Sequence, residues 1–209
     1  AYGYIDMTVT EAEGLDRDGD LAEYEIGLSF APAESQFSAV AELSYDDGNS
    51  SFETVAVTYQ YSDALSFSAG NLYTYMGLEN ADAPNNNFIS FAGSEDSLLH
   101  GADWAGGVSA DYNAGDITVG VWAQASSDAD FEYYAAYSGI ENLTLSVALA
   151  ENVEAEDASN IMATYEMGDF TLSAENVDID NTLDVTSISV AYSMGDTTIA
   201  VRSVEGDYE

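Results

Sequence analysis

Apolar and polar residues alternate along almost the whole chain. Between residues 2 and 9, for example, Ile5 and Met7 share one side while Tyr4 and Asp6 share the other. A period of two is the signature of a half-buried β-strand, and no stretch shows the 3.6-residue period of a helix. The pattern therefore predicts an all-β fold.

Counting the alternating stretches gives about thirteen strands in a single domain that covers residues 1–209. Strands one and thirteen would run in the same direction, so they cannot close a barrel by antiparallel pairing. Membrane barrels of this kind usually have an even number of strands. We therefore expect a complete barrel of fourteen or more strands, whose closing strands are absent here or come from another chain; a miscounted strand is the alternative. The predicted strands cover residues 2–9, 21–30, 37–45, 55–61, 65–73, 103–112, 117–123, 131–137, 143–149, 161–165, 170–174, 188–192 and 199–201.

The connections alternate between two kinds. Short turns rich in Gly, Asn and Asp, such as residues 113–116 and 167–169, alternate with longer acidic loops, such as residues 10–20 and 178–184. An antiparallel up-and-down barrel collects all turns at one end and all loops at the other. This arrangement is typical of transmembrane β-barrels in outer membranes.

A row of aromatic residues precedes the tight turns. On neighbouring strands these rings would form an aromatic girdle at one bilayer interface. A soluble β-sandwich or β-solenoid would also alternate, but it would not place aromatic residues so regularly at one end. The polar positions are also poor in mid-strand charge, which favours the membrane barrel. The predicted girdle consists of Phe30, Tyr61, Tyr112, Tyr137, Tyr165 and Tyr192.

The amino-acid composition limits the classes of molecule that this chain can bind. The chain has 39 acidic residues against 2 basic ones, a formal charge of −37, and 46% hydrophobic residues. That hydrophobic content is too high for a disordered acidic tail. Nucleic acid is excluded as a partner because phosphate binding depends on Lys and Arg. The charge indicates cations, salt-rich surroundings such as those of a marine bacterium, or both. Without Cys the chain has no disulfide and no thiolate metal site.

The polar positions of the strands carry carboxylates and one base. On a barrel these side chains would point into the lumen and line the pore. Carboxylates in a narrow passage attract cations and repel anions, although any one of them is more simply a solvated surface group. The predicted pore-lining set is Asp6, Glu23, Glu25, Glu42, Asp103, Asp111, Glu132, Glu166, Glu175 and Arg202.

Residues 74–101 form the longest connection. A structureless segment of this length in a compact domain is usually functional. It could fold into the lumen as a constriction, cap the mouth or contact a neighbouring subunit. Pro84 and a run of Asn suit compact irregular backbone, which favours the lumen. The residues predicted to line the constriction are Tyr75, Glu79, Asp82, Asn85, Asn86 and Asn87.

Several of these residues resemble a known family. Residues 3–6 (Gly-Tyr-Ile-Asp), 69–72 (Ala-Gly-Asn-Leu), 76–79 (Met-Gly-Leu-Glu), 83–87 (Ala-Pro-Asn-Asn-Asn) and 88–91 (Phe-Ile-Ser-Phe) are similar to the OmpL-like β-barrel porins of bacterial outer membranes. The resemblance implies an outer-membrane barrel for passive diffusion, with residues 76–87 in its long loop. This chain is shorter and almost free of basic residues.

Other candidate sites are weaker. Asp16, Asp18 and Asp20 start like a calcium loop, but the sixth position is Leu21 and the twelfth is Gly27, so the EF-hand pattern fails. We expect at most weak Ca²⁺ or Mg²⁺ binding there and at the other acidic loops.

Catalysis has little support in the sequence. His100 is the only imidazole, it has no nucleophile motif around it, and we expect no enzyme activity and no required cofactor. Trp122 falls on the lumen side and is expected to fill space.

Two functions remain open at this stage. The first is an outer-membrane porin, a cation-preferring diffusion channel for small solutes that is in contact with lipid and is compatible with homo-oligomers. The alternative is a structural surface protein that forms filaments through strand edges and bridging divalent cations.

Overall fold

The computed structural model describes residues 1–10, 18–46, 49–78, 87–88, 104–125, 130–153, 156–181 and 183–208. These residues form thirteen β-strands, so the predicted strand number is confirmed. No helix among them is long and apolar enough to cross a membrane. The strands are β1 (Tyr2–Thr10), β2 (Asp18–Phe30), β3 (Phe37–Asp46), β4 (Asn49–Gln60), β5 (Leu65–Tyr73), β6 (Trp104–Ala114), β7 (Ile117–Gln124), β8 (Phe131–Ile140), β9 (Leu143–Val153), β10 (Glu156–Met167), β11 (Phe170–Ile179), β12 (Leu183–Met194) and β13 (Thr197–Tyr208).

The strands form one sheet in which each pairs with its neighbours in the chain. The order runs from β1 to β13 without a crossover, and the pairings are antiparallel. This is the predicted up-and-down topology of a β-barrel. Its strands alternate in direction, so the sheet has a turn edge, where even-numbered strands lead into odd-numbered ones, and a loop edge opposite.

The tight turns at the turn edge require left-handed backbone. Gly115, Gly168 and Gly195 have φ of 70°, 62° and 60°, and Asn142 has φ of 64°. Gly has no Cβ penalty in this region and Asn tolerates it better than most residues. The left-handed backbone therefore accounts for the choice of Gly or Asn at these four turn positions.

Several strands are longer at the loop edge than the alternation predicted. The acidic connection 10–20 is shorter than expected, because β1 continues to Thr10 and β2 begins at Asp18, with Thr10 opposite Asp18. Residues expected in loops near 151–157 and 178–184 likewise extend β9 to β12. Polar side chains end the hydrophobic pattern, but backbone hydrogen bonds continue the ladder beyond it.

In a soluble protein the exposed face of a sheet is polar and the buried face is apolar. In this sheet the exposed face is apolar and the buried face is polar. On the outer face, large apolar side chains are exposed, and Ile5, Met7 and Val201 are each at least 70% exposed. On the other face, here called the inner face, polar side chains are buried, including Glu132 (2% exposed) and Asn160 (0%). The apolar residues do not form a dry core between two sheets.

Candidate functional site: the inner face

Residues 74–78, which we call the inner segment, leave β5 and lie across the inner face. Their hydrogen-bond partners belong to β6, β8, β10 and β11, so the segment crosses several strands. The sequence separation between these partners is large, and it reaches 97 residues between Leu78 and Glu175. The segment therefore links distant parts of the wall.

Glu132 on β8 is the main anchor of the inner segment. The Thr74 hydroxyl lies 2.9 Å from each carboxylate oxygen of Glu132, and the Tyr75 backbone N–H donates to Oε2 at 2.8 Å. Thr74 Oγ1 also accepts from the Met76 N–H at 3.1 Å. Hydrogen bonds to a charged acceptor are stronger than neutral ones, and a buried carboxylate needs such partners.

A second anchor holds the side chain of Tyr75. Its hydroxyl donates to Asp111 Oδ1 on β6 at 2.6 Å, and the Ser109 hydroxyl donates to Asp111 Oδ2 at 3.1 Å. Burial raises the pKa of the Tyr75 hydroxyl, and its bond to the Asp111 carboxylate raises it further. The hydroxyl therefore stays protonated and remains a donor.

The third anchor lies on β10 and β11. The Gly77 N–H donates to Asn160 Oδ1 at 2.9 Å, and the Leu78 N–H donates to Glu175 Oε1 at 3.0 Å. Asn160 Nδ2 also donates to that Glu175 oxygen at 3.0 Å. The backbone of the segment thus replaces water as the partner of buried polar side chains, which is the usual condition for burying them.

Apolar contacts support the same attachment. Met76 is buried among small and apolar residues of β9 to β12, and Tyr75 and Leu78 pack against this cluster. A second cluster joins Trp122 to Ala56 and Leu72. As expected, Trp122 fills space on the inner face. The other buried members of this cluster are Ala148, Ala150, Ala158, Met162, Val177, Ile179, Leu183 and Val185.

Two glycines make room for these aromatic side chains. A Cβ at Gly120 would stand 2.8 Å from the Tyr75 hydroxyl oxygen and from Asp111 Oδ1. A Cβ at Gly107 would stand 2.4 Å from Nε1 of Trp122. The absence of side chains at these positions lets the rings lie close to the sheet.

The predicted pore-lining residues occupy different positions on the inner face. Asp111, Glu132 and Glu175 bond the inner segment, whereas Glu42 accepts a hydrogen bond from the Tyr2 hydroxyl. The remaining members are placed as follows: Asp6 partly exposed on β1, Glu25 buried on β2, Glu166 exposed near the turn edge, Arg202 half-buried on β13, Glu23 described only as a member of β2, and Asp103 outside the described residues.

Little of the predicted constriction beyond the inner segment is described. Tyr75 lies on the inner face, Asn87 is exposed, and the guanidinium carbon of Arg202 lies 4.4 Å from the centre of the Phe88 ring. The others, Glu79, Asp82, Asn85 and Asn86, fall outside the described residues, as does His100. The constriction stays a prediction.

The expected aromatic row lies at the turn edge. Phe30 and Tyr61 are 69% and 62% exposed, Tyr112, Tyr137 and Tyr165 are also exposed, and Tyr192 is half-buried against Phe170 with ring centres 4.5 Å apart. Its role as a membrane girdle stays a prediction.

Sequence analysis missed a second aromatic row near the loop edge of the outer face. Tyr24 stacks on Tyr45 with ring centres 4.7 Å apart, and Tyr73 packs on Trp104 at 5.0 Å. Both are directly opposed cross-strand pairs. Pairing of aromatic residues on adjacent predicted strands was the signal that could have revealed them. Tyr73, at the end of β5, therefore lies on the outer face.

The structure places two of the three aspartates of the predicted calcium site in a β-strand. Asp18 and Asp20 lie in β2, opposite Thr10 and Thr8, whereas Asp16 is outside the described residues. Within the described ranges no group of three or more His, Asp or Glu side chains is arranged to hold a metal ion. Weak Ca²⁺ or Mg²⁺ binding stays a prediction.

Two cavities open between the inner segment and the turn edge. The larger, about 360 Å³, is lined by the inner segment and by Tyr134, Ser146 and Met162 among others. The smaller, about 160 Å³, reaches Glu166 and Asn142. Both include Thr144 and Thr164, which are paired across β9 and β10, so the two cavities adjoin each other.

The fold matches solved bacterial porins over nearly all of this chain. A mutant porin of Rh. blastica matches with a TM-score of 0.68 and 16% identity, covering 99% of this chain and 82% of the porin. OmpF of Salmonella typhi, in complex with daunomycin, matches with a TM-score of 0.71 and 11% identity, covering 99% and 77%. OmpT of Vibrio cholerae, in a trimer form, matches with a TM-score of 0.62 and 14% identity, covering 98% and 79%.

No family model and no curated protein matches the sequence. The resemblance to OmpL-like porins therefore stays a prediction, whereas the structural matches establish the architecture. The chain has the up-and-down β-barrel fold of bacterial outer-membrane porins.

Proposed function

We propose that this protein forms a water-filled, cation-preferring diffusion channel for small solutes in a bacterial outer membrane. One observation carries the proposal: strands expose apolar side chains on the outer face and bury carboxylates and amides on the inner face. In water, each exposed Leu, Ile or Val would forgo about 1.5–3 kcal/mol of burial. A surrounding lipid phase removes that cost.

The two aromatic rows support membrane insertion. On β5 and β6 the pair Tyr73 and Trp104 lies eight residues (73 − 65 and 112 − 104) from the pair Leu65 and Tyr112. At about 3.4 Å per residue this is roughly 27 Å along the strands, or about 20 Å of depth at the usual tilt of 35–45°. Such a spacing is close to the apolar band of about 25 Å in outer-membrane barrels.

Charge supports the cation preference. Asp6, Glu42 and Glu166 are at least partly exposed on the inner face, and Arg202 is the basic side chain described there. Carboxylates lining a narrow passage between walls of low dielectric lower the energy of a cation and raise that of an anion. The whole chain, with a charge of −37, adds a field of the same sign.

The inner segment supports a narrowed passage. It is anchored to β6, β8, β10 and β11, while β1 to β3 carry Asp6, Glu25 and Glu42 on the same face. Permeating ions would then pass between the anchored segment and this acidic wall. Diffusion of this kind involves no covalent chemistry and requires no cofactor.

We extend the proposal to a homo-oligomer, because the structure of Vibrio cholerae OmpT is described as a trimer form. The filament alternative would need an outer surface that tolerates water. The exposed apolar side chains of that face do not provide one.

The experiment that tests this function is ion conduction. The full chain is folded in detergent, inserted into planar bilayers and measured under a KCl gradient. The proposal expects stepwise channels with a cation-selective reversal potential. An anion-selective potential would contradict the acidic passage, and a detergent-free soluble protein without conductance would contradict the channel itself.

A further inference from the structure

Among the described residues, the lining of the larger inner-face cavity is uncharged, which is unexpected in so acidic a chain. Its described walls are formed by aromatic, hydroxyl-bearing and apolar side chains and by backbone, and they include no Asp, Glu, Lys or Arg. Of the carboxylates around it, Glu132 and Glu175 are bonded to the inner segment, and Glu166 lines the adjoining smaller cavity. The described lining of the larger cavity therefore offers hydroxyl, aromatic and apolar contacts but no charged side chain.

An aromatic pair forms one side of this cavity. Tyr134 of β8 stacks on Tyr75 of the inner segment, with ring centres 5.5 Å apart and an angle of 17° between the planes. Tyr75 is fixed by its bond to Asp111. The stacked rings therefore form a rigid platform whose faces carry partial negative charge and attract the positive edges of C–H groups.

Hydroxyl-bearing side chains on the neighbouring strands β9 and β10 also line the cavity. Thr144 and Thr164 are directly paired on β9 and β10, and Ser146 lies two residues along β9. Within the described part of the chain, the side chains of these three residues make no hydrogen bond. Each hydroxyl can donate one hydrogen bond and accept others. They are available to a ligand that offers hydroxyl groups of its own.

We propose that this cavity is a subsite for neutral, ring-shaped polyhydroxylated solutes, such as a pyranose sugar, which stack on Tyr134 and hydrogen-bond to Thr144, Ser146 and Thr164. A volume of about 360 Å³ lies within the usual range of small-ligand pockets, about 300–1,000 Å³. The smaller cavity shares Thr144 and Thr164 with the subsite and lies toward the turn edge, where Glu166 is part of its lining. Solutes of this class would pass beside the inner segment, away from the carboxylates of β1 to β3.

The inference rests on the proposed channel function. One recording of ion current distinguishes failure of the channel proposal from failure of the subsite proposal. The intact protein in planar bilayers carries a KCl current, and D-glucose is then titrated against glycerol solutions of matched viscosity. We expect glucose to reduce the current saturably, whereas glycerol reduces it only in proportion to viscosity. If no current flows, the channel proposal fails. If current flows and glucose acts like glycerol, the subsite fails alone.

A substitution at Tyr134 tests whether the saturable reduction of current by glucose arises at this cavity. Tyr134→Ala should raise the half-saturating glucose concentration by about tenfold, because aromatic stacking is worth roughly that factor. Tyr133→Ala is the matched control, since Tyr133 is the adjacent residue and lies exposed on the outer face. Saturation that is unchanged by Tyr134→Ala would overturn the assignment of the site.

A second variant covers the case in which Tyr134→Ala does not fold. Thr164→Val preserves the shape of the side chain and removes one hydroxyl. It should raise the half-saturating concentration by about threefold to tenfold, since one hydrogen bond contributes on the order of that factor. No change in saturation with Thr164→Val would contradict the hydroxyl contacts.

Discussion

The two walls of the inner face use carboxylates in different ways. On β6, β8 and β11, Asp111, Glu132 and Glu175 accept hydrogen bonds from the inner segment. On β1 and β3, Asp6 and Glu42 receive no such bond from residues 74–78. A carboxylate that accepts from the inner segment acts as an anchor. Asp6 and Glu42 are partly exposed and remain available to ions, although Glu42 also accepts a hydrogen bond from the Tyr2 hydroxyl.

The largest effect is expected from removing the main anchor. Glu132→Ala leaves the Thr74 hydroxyl and the Tyr75 N–H without their acceptor, and we expect a loss of about 3 kcal/mol in unfolding free energy. Single-channel conductance should also increase, because residues 74 and 75 lose their attachment to β8 and widen the passage there, while the other two anchors remain. Urea unfolding in vesicles and single-channel recording measure both effects. The control is Glu42→Gln, on the other wall, which should leave the conductance nearly unchanged; equal effects would remove the distinction between the walls.

A smaller effect is expected from crowding the second anchor. Gly120→Ala places a methyl group 2.8 Å from the Tyr75 hydroxyl and from Asp111, so their contact must shift. Such overpacking costs about 1–3 kcal/mol, measured by urea unfolding. Gly106→Ala on the neighbouring strand is the matched control, because a Cβ there meets nothing within 4 Å among the described atoms. A Gly120→Ala protein as stable as Gly106→Ala would argue against a tight Tyr75 site.

Removing one hydrogen bond of that anchor should have a still smaller effect. Tyr75→Phe keeps the ring and loses the bond to Asp111, which we expect to cost about 1 kcal/mol.

This cost should depend on pH in one direction. The pKa of the Tyr75 hydroxyl is raised in the folded protein, so its contribution is complete below the ordinary Tyr pKa of about 10 and declines above it. Unfolding measured from pH 7 to 11 should show a constant difference from Tyr75→Phe up to about pH 10 and then a decreasing one. A difference that grows with pH would mean that the folded state favours the ionised hydroxyl.

The smallest effect concerns selectivity. Neutralising the water-facing carboxylates in a double variant, Asp6→Asn with Glu42→Gln, should lower the cation-to-anion permeability ratio by about twofold. Reversal potentials in KCl gradients measure the ratio. Glu175→Gln, which neutralises an anchor, should change it less. A larger change from Glu175→Gln would show that anchoring carboxylates also set the field in the passage.

The alternating sequence predicts much of the fold because one face meets apolar surroundings and the other meets water. Ile26 and Leu28 lie outward and Glu25 and Gly27 lie inward, in the phase that the pattern requires. Strand ends were predicted less well. At Asp18 and Glu156 polar residues continue the hydrogen-bonded ladder after the apolar pattern has ended.

The anchors could not be predicted from the sequence. Thr74 and Glu132 are 58 residues apart and Leu78 and Glu175 are 97 apart, and no local pattern joins such residues. The sequence placed these carboxylates on the inner face, but it could not separate the ones that hold the inner segment from the ones that face water. That distinction depends on where an irregular backbone lies.

The most direct test of the account is the environment of consecutive side chains on β9. The chain has no native Cys, so single-cysteine variants at Thr144, Leu145, Ser146 and Val147 can be compared in lipid vesicles with a positively charged, water-soluble thiol reagent. Thr144→Cys and Ser146→Cys should react rapidly, because these positions line the inner cavity. Leu145→Cys and Val147→Cys should be protected by lipid. Rapid reaction at 145 and 147 with protection at 144 and 146 would contradict a lipid-facing outer surface around a water-filled interior.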